Sequence, residues 1–255
     1  MVTVNERSLD ELQGAHFDER SSTWTDRYRH SRSFQARLVV VGRAVTEVLA
    51  AKREARVLDF GGGTGVFSAL ASQHADMVVC LDRSESMLKE GSTHATSIQN
   101  TLIAVGFDHQ IGRIARVAAS DCEIFAPSAA FDLILVVAVL EYVDDSHSLM
   151  KSLASSLSPD GLILLTIPNP RSYFRKLQRR LSPIAHYGRQ TSKRFADQSF
   201  VRLRPNGDRV PWRAACDVAR LEIVDVEAIP LAHSGVRKMV RPTILVSLRH
   251  RNPAT

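Results

Sequence analysis

The sequence predicts an α/β protein with a doubly wound, seven-stranded sheet, and three observations predict it. The apolar pair Val57-Leu58 runs through Asp59-Phe60 into Gly61-Gly62-Gly63-Thr64-Gly65, and Val66 to Ala71 then continue with helical apolar spacing. Short apolar runs alternate with helix-patterned segments along most of the chain. The unbroken apolar stretch Leu133 to Leu140 reads as a strand buried on both faces, and it is too short to span a bilayer.

Taken in order, residues 15–31 are polar with embedded Phe17, Trp24 and Tyr28. A helix follows over about 34–49, where Leu38, Val41, Val45 and Val48 recur at three- and four-residue steps. The first strand is Arg56 to Phe60, with a helix from Gly65 to His74. The second strand is Met77 to Leu81, and Ser84 with Glu85 opens the next helix. Residues 92–112 are weakly patterned and expected helical. The third strand is placed at Arg116 to Ala119 and the fourth at Asp132 to Val137, and a helix from Asp145 to Leu157 precedes a turn at Pro159-Asp160-Gly161. The fifth strand, Leu162 to Ile167, is stopped by Pro168 and Pro170, which cannot donate to a ladder. A helix is expected over Ser172 to Leu181, and another after Pro211, whose fixed φ suits a first helical turn. Leu221 to Glu227 and Thr243 to Arg249 are the last two strands.

A chain of 255 residues, 44% hydrophobic, can bury one full α/β core without a second domain. Cys80, Cys122 and Cys216 are far apart with no paired spacing, so they read as small buried residues of a reduced protein. The first seven residues carry an acid and lack the apolar core of a secretory leader, which makes the cytoplasm the expected location. The net charge of +6 is local: residues 171–204 hold ten Lys or Arg against Asp197 alone, a segment of +9 that leaves −3 for the remainder.

The glycine spacing narrows the ligand. Counting from Gly61 and Gly63, Val66 stands where a dinucleotide fingerprint needs its third glycine, and no Gly-Lys-Ser/Thr triplet follows as a phosphate loop requires. What remains is D-x-G-x-G-x-G, with Asp59 two residues ahead of the first glycine. A carboxylate there repels a pyrophosphate but receives the ammonium of an amino-acid-like ligand, directly or through water. S-adenosylmethionine has that chemistry.

The segment Val57 to Gly65 resembles motif I of the class I S-adenosylmethionine-dependent methyltransferases, in particular the ubiquinone-biosynthesis-like small-molecule group. The resemblance extends to Asp82 after the second strand, Val117 to Cys122, Phe131 to Tyr142, and Leu157 to Gly161, over roughly two thirds of the chain. It implies a Rossmann-like, mostly parallel sheet with an antiparallel final strand. It also implies one domain over 1–255: a helical cap (1–50), a cofactor-binding core (51–168), a basic acceptor-side insertion after the fifth strand (169–210) and a C-terminal helix with strands (211–255). Asp59, Gly61, Gly63 and Gly65 then hold the cofactor's amino-acid end, and Asp82 accepts both ribose hydroxyls. Asp121 and the backbone of Cys122 contact the adenine, and Ala138 closes the fourth strand beside the cofactor. Arg37 matches an arginine that clamps the cofactor carboxylate in some relatives, though a surface arginine fits the same position. Tyr28 and Trp24 are either a lid or an anchor of the terminus on the core.

Methyl transfer from a sulfonium is an in-line displacement, so the protein aligns the acceptor and, for a hydroxyl, removes its proton. Any base belongs near the carboxyl end of the fourth strand or in the lid. Glu141, Tyr142 and His147 are the candidates, with helix capping and packing as the alternative. No metal is expected, because Asp144-Asp145 lacks partner ligands at suitable spacing. The family builds its acceptor pocket after the fifth strand, where the basic segment lies, so Arg175, Arg179, His186 and Tyr187 are candidate acceptor contacts. The expected acceptor is an anionic small molecule, free or carrier-linked, methylated at oxygen. RNA is disfavoured by the absence of a recognisable RNA-binding module. Peripheral contact of Ser172 to Leu177 with anionic lipid, a non-catalytic cofactor-binding protein on this fold, and a merely solvated basic face stay open.

Reversing the charge of Arg175, Arg179 and Arg180 together should raise the KM for the acceptor and leave cofactor affinity intact; steady-state kinetics beside cofactor titration calorimetry measure both.

Overall fold

A computed structural model describes residues 9–107, 111–118, 130–169, 171–172, 211–231 and 242–252. Among these, one seven-stranded sheet has the order β3-β2-β1-β4-β5-β7-β6. The strands are β1 (Arg56–Phe60), β2 (Met77–Asp82), β3 (Ile114–Ala118), β4 (Phe131–Val137), β5 (Leu157–Pro168), β6 (Leu221–Ile229) and β7 (Thr243–His250). The first five run parallel, and β7 inserts antiparallel between β5 and β6. The helices are α1 (Leu9–Asp18), α2 (Ser21–His30), α3 (Arg32–Ala50), α4 (Val66–Ala71), α5 (Glu85–Thr93), α6 (Ala95–Ala104), α7 (Ser146–Ser155) and α8 (Trp212–Val218). Strand order reverses between β1 and β4, where an open sheet leaves its crevice.

The two faces of the sheet make two cores. Ile134 and Val136 of β4 join Leu58 and the apolar faces of α7 and α8. Leu133 and Leu135 alternate to the other face, with Val57, α3, α4 and α6. That alternation explains the unbroken apolar run of β4, since neither face meets water. It also fixes Asp59: two residues past Val57, it points to the α3–α4 side and is 1% exposed.

Several boundaries differ from the sequence expectation for physical reasons. The polar N-terminal stretch is helical as α1 and α2, held by an aromatic cluster that no periodic pattern announces: Trp24 and Tyr28 both pack edge-on against Phe34. The segment expected helical over 92–112 is helical, past the end of α5 at Thr93, only at Ala95–Ala104 among the described residues, and His94, with φ of −108° and ψ of 34°, leaves the helical region between the two. β5 starts at Leu157, five residues early, because Leu157 pairs with Phe131 before the register shifts toward Leu133. Pro159-Asp160-Gly161 is thus an irregularity inside the strand, where the Asp160 carbonyl accepts from the Lys52 ammonium at 3.1 Å. The helix expected over Ser172 to Leu181 lies outside the described residues, apart from Ser172 itself. Cys80 and Cys216 are free and buried. No described helix is long and apolar enough to cross a membrane.

The helix α5 packs so closely on the glycine turn that a Cβ on Gly91 would run into the Thr64 carbonyl. Gly91→Ala should therefore destabilise the fold by about 1–3 kcal/mol, the usual range for overpacking a tight contact, measured by denaturant unfolding of the ligand-free protein.

Candidate active site

The turn after β1 is tied to the tip of β2 through main chain and one carboxylate. The Gly61 and Gly62 amides both donate to the Leu81 carbonyl, at 2.8 and 3.1 Å, and the Gly63 amide donates to Asp82 Oδ2 at 2.7 Å. Gly61 needs to be glycine twice over: its φ is +68°, and a Cβ would lie 2.5 Å from Val139 Cγ2. Gly65 enters α4 at φ +80°. Asp82 Oδ1 accepts the Ser84 amide at 2.9 Å, while α5 is capped by the Ser84 hydroxyl, which accepts from Met87. Asp82 is therefore a brace across the turn and not a helix cap. Each of its oxygens keeps a lone pair for a further donor.

Asp59 sits behind this turn. Its Oδ2 accepts from the Ser68 hydroxyl at 2.6 Å. Burial lifts its pKa from 3.8 to about 6; the Ser68 hydrogen bond opposes that rise and the nearby charge of Asp82 adds to it. Burial raises Asp82 as well, against the pull of its two backbone donors. Cys80, wedged between the glycines and Asp59, is also pushed up by burial.

A cavity of about 440 Å³ opens in front of the turn. Its floor is Asp59, Gly61 to Gly63, Asp82 and Ala138, and its roof is Gln13, Phe17, Trp24, Arg27, Phe34 and Arg37 from the three N-terminal helices. Two guanidinium groups stack on the aromatic roof: Arg27 lies 4.6 Å from the Trp24 centroid and Arg37 lies 5.2 Å from Phe34. Arg37 also hydrogen-bonds the Tyr28 hydroxyl, and its Nε is buried with no partner among the described residues. Burial pushes Tyr28 up to about 12, with the Arg37 charge opposing and the Asp59 charge assisting. The cavity thus presents anionic groups below and cationic groups above, a match for a zwitterionic amino-acid end.

The far end of the cavity is made by the tips of β4 and β5. Ala138 takes φ +58° and donates its amide to Thr166 Oγ1 at 2.8 Å. This left-handed residue turns the chain into a 3₁₀ turn, Leu140–Tyr142. Glu141 on that turn is 5% exposed, lines the cavity, and has no partner for its Oε2 among the described residues. An unpaired buried carboxyl oxygen is costly and marks a place where a donor is expected. Tyr142 meets the Phe17 ring edge-on at 5.3 Å.

Of the candidate residues read from sequence, the structure brings Asp59, Gly61, Gly63, Asp82, Ala138, Tyr28, Arg37, Glu141 and Tyr142 to this one cavity. Gly65 lies one step behind, as the entry to α4. His147 is in the first turn of α7, its amide donated to the cap Asp145 at 3.0 Å, and it is not part of the cavity wall. Asp121, Cys122, Arg175, Arg179, His186 and Tyr187 lie outside the described residues. Sequence reading missed Gln13, Phe17, Arg27, Phe34 and Thr166. The roof residues belong to no motif, and Thr166 is hidden within an apolar strand.

Fold and site together describe an open α/β sheet whose strand-to-helix glycine turn faces a cavity with groups that could hold an amino-acid-bearing nucleoside. A family model described as a methyltransferase domain matches residues 28–204. The chain belongs to that family, the class I S-adenosylmethionine-dependent methyltransferases. Among its relatives, a ubiquinone biosynthesis O-methyltransferase of Coxiella burnetii (strain RSA 331 / Henzerling II) is 24% identical over 169 residues, covering 66% of this chain and 66% of the relative. The chain thus matches about two thirds of that enzyme's length. A tRNA 5-carboxymethoxyuridine methyltransferase of Escherichia coli (strain K12) is 28% identical over 160 residues, covering 62% of this chain and 58% of the relative. The fold is that of the N-methyltransferase NodS from Bradyrhizobium japonicum WM9 with S-adenosyl-L-homocysteine, at a TM-score of 0.59 and 12% identity over 96% of this chain and 100% of that one.

Because the folded pKa of Asp59 is raised, its burial costs nothing below about pH 4, grows as pH rises toward 6, and is complete above that. Asp59→Asn should make the ligand-free protein more stable at pH 7.5 by about 3 kcal/mol and leave it unchanged at pH 4, compared by denaturant unfolding at the two pH values.

Proposed function

We propose that this chain transfers a methyl group from S-adenosylmethionine to the hydroxyl of a small or carrier-linked anionic acceptor, with Glu141 as the proton acceptor. The observation that carries the reading is the buried Oε2 of Glu141 on the cavity wall, which has no partner among the described residues. When bound, S-adenosylmethionine supplies an electrophilic methyl on a sulfonium sulfur. The residues fit that group: a glycine turn whose Cβ-free backbone leaves room, a buried acid at Asp59 for the ammonium, Arg37 for the carboxylate and Asp82 for the sugar. The aromatic roof excludes water from the space between them. An acceptor hydroxyl beside Glu141 would donate to Oε2 and be held for in-line attack on that methyl, and Glu141 would take up the hydroxyl proton as the oxygen gains the methyl, with the demethylated cofactor as the other product. The basic segment 171–204 would hold the acceptor's anionic part.

An RNA acceptor is the second reading. The tRNA methyltransferase relative and the +9 segment favour it. It would bring steeply salt-dependent binding through counterion release, whereas a small anion held by a few side chains depends on salt weakly.

Glu141→Gln should lower kcat about 100-fold or more, within the range for loss of a general base, and leave S-adenosylhomocysteine affinity within about twofold. The check is transfer of labelled methyl to a panel of hydroxylated carboxylates, phosphates and tRNA, with calorimetry alongside. Equal turnover in wild type and variant would remove Glu141 from the chemistry.

A further inference from the structure

We infer that α1 completes the cofactor site and that Gln13 is the positioning residue through which it does so. The inference rests on the cofactor reading above and goes beyond it, because α1 ends at Asp18, ten residues before the family match begins at Tyr28. The methyltransferase core is therefore completed by a segment outside the matched region.

Gln13 is 1% exposed and lines the cavity. Its Nε2 donates to the Tyr142 carbonyl at 3.0 Å, and its Oε1 accepts from Arg83 Nη1 at 2.7 Å. One amide thus spans the crevice from the β2 tip, where Arg83 follows Asp82, to the turn after β4, where Tyr142 follows Glu141. An amide suits this place because one partner needs a donor and the other an acceptor, and a side-chain amide carries both. One further bond seats α1, the Ser84 hydroxyl donating to Asp18 at 2.6 Å, and the adjoining α2 is seated by the Thr25 hydroxyl, which donates to Thr64 of the glycine turn at 3.1 Å. Phe17 packs edge-on against both Trp24 and Tyr142. A nucleoside lying on Asp82 would be covered by this strap. Release would require the Gln13 bridge to open, so the bridge sets how long the cofactor product stays.

The test uses S-adenosylhomocysteine as the probe and needs no acceptor. Stopped-flow fluorescence of Trp24 in the roof follows its dissociation from wild type, Gln13→Met and Gln13→Glu. Gln13→Met keeps the length and loses both bonds; it should release the probe about tenfold faster, as expected for one or two net hydrogen bonds. Gln13→Glu keeps the acceptor toward Arg83 and loses the donor toward Tyr142, so it should fall between the two. Hydrogen exchange on the wild type gives a readout that survives a poorly folding variant: the amides of residues 9–18 should slow on adding the probe. Wild-type dissociation rates in Gln13→Met, or exchange over 9–18 that ignores a probe seen by calorimetry to bind, would overturn the role of α1 alone. No calorimetric binding at all would overturn the cofactor reading, and this inference with it.

Discussion

The joint between β1 and β2 is the constraint on which the rest depends. Parallel strands leave their terminal amides without ladder partners, and here Gly61 and Gly62 share the Leu81 carbonyl while Gly63 takes the carboxylate of Asp82. The geometry needs backbone without side chains, since Val139 presses on Gly61 from one side and Cys80 lies against Gly62 from the other. A pair of acids is gathered at a place where burial opposes their ionisation. The ligand-free fold carries that electrostatic cost, which is the kind of cost that a neighbouring positive charge would offset.

The positions of the parallel strands along the chain, the glycine turn and Asp82 were legible in the sequence because each imposes a local chemical pattern: apolar runs, missing side chains, an acid at a strand end. Glu141 could be placed at the site but its condition could not be read. Whether a carboxylate after a strand is solvated or buried without a partner depends on the turn at Ala138, and an alanine gives no sign that it will adopt φ +58°. His147 shows the opposite outcome. Its neighbourhood in sequence matched that of Glu141, but Asp145 begins a helix and carries His147 away from the crevice.

The roof was the least legible part. α1 and α2 have no strong apolar stripe, and their residues are held by edge-to-face rings, guanidinium stacking and single hydrogen bonds to distant loops. Contacts of that kind depend on partners tens of residues away, so no window of sequence contains them. The pair Val137 and Thr166 illustrates the same limit within the sheet: their register places a hydroxyl beside the next amide of β4, and register is a property of two strands at once.

The antiparallel entry of β7 turns its first residue, and not its last, toward the crevice, so Thr243 stands beside Pro168 at the rim. The Asn169 amide is fastened to the Pro242 carbonyl at 2.8 Å, just outside that pair. The connection leaving β5 and the connection arriving at β7 are anchored on one side of the opening, far along the sheet from β1 and β2. Insertions or deletions in either would act on this rim without touching the joint between β1 and β2. The rim and the glycine turn belong to separate stretches of chain, so one can vary in length while the other stays fixed.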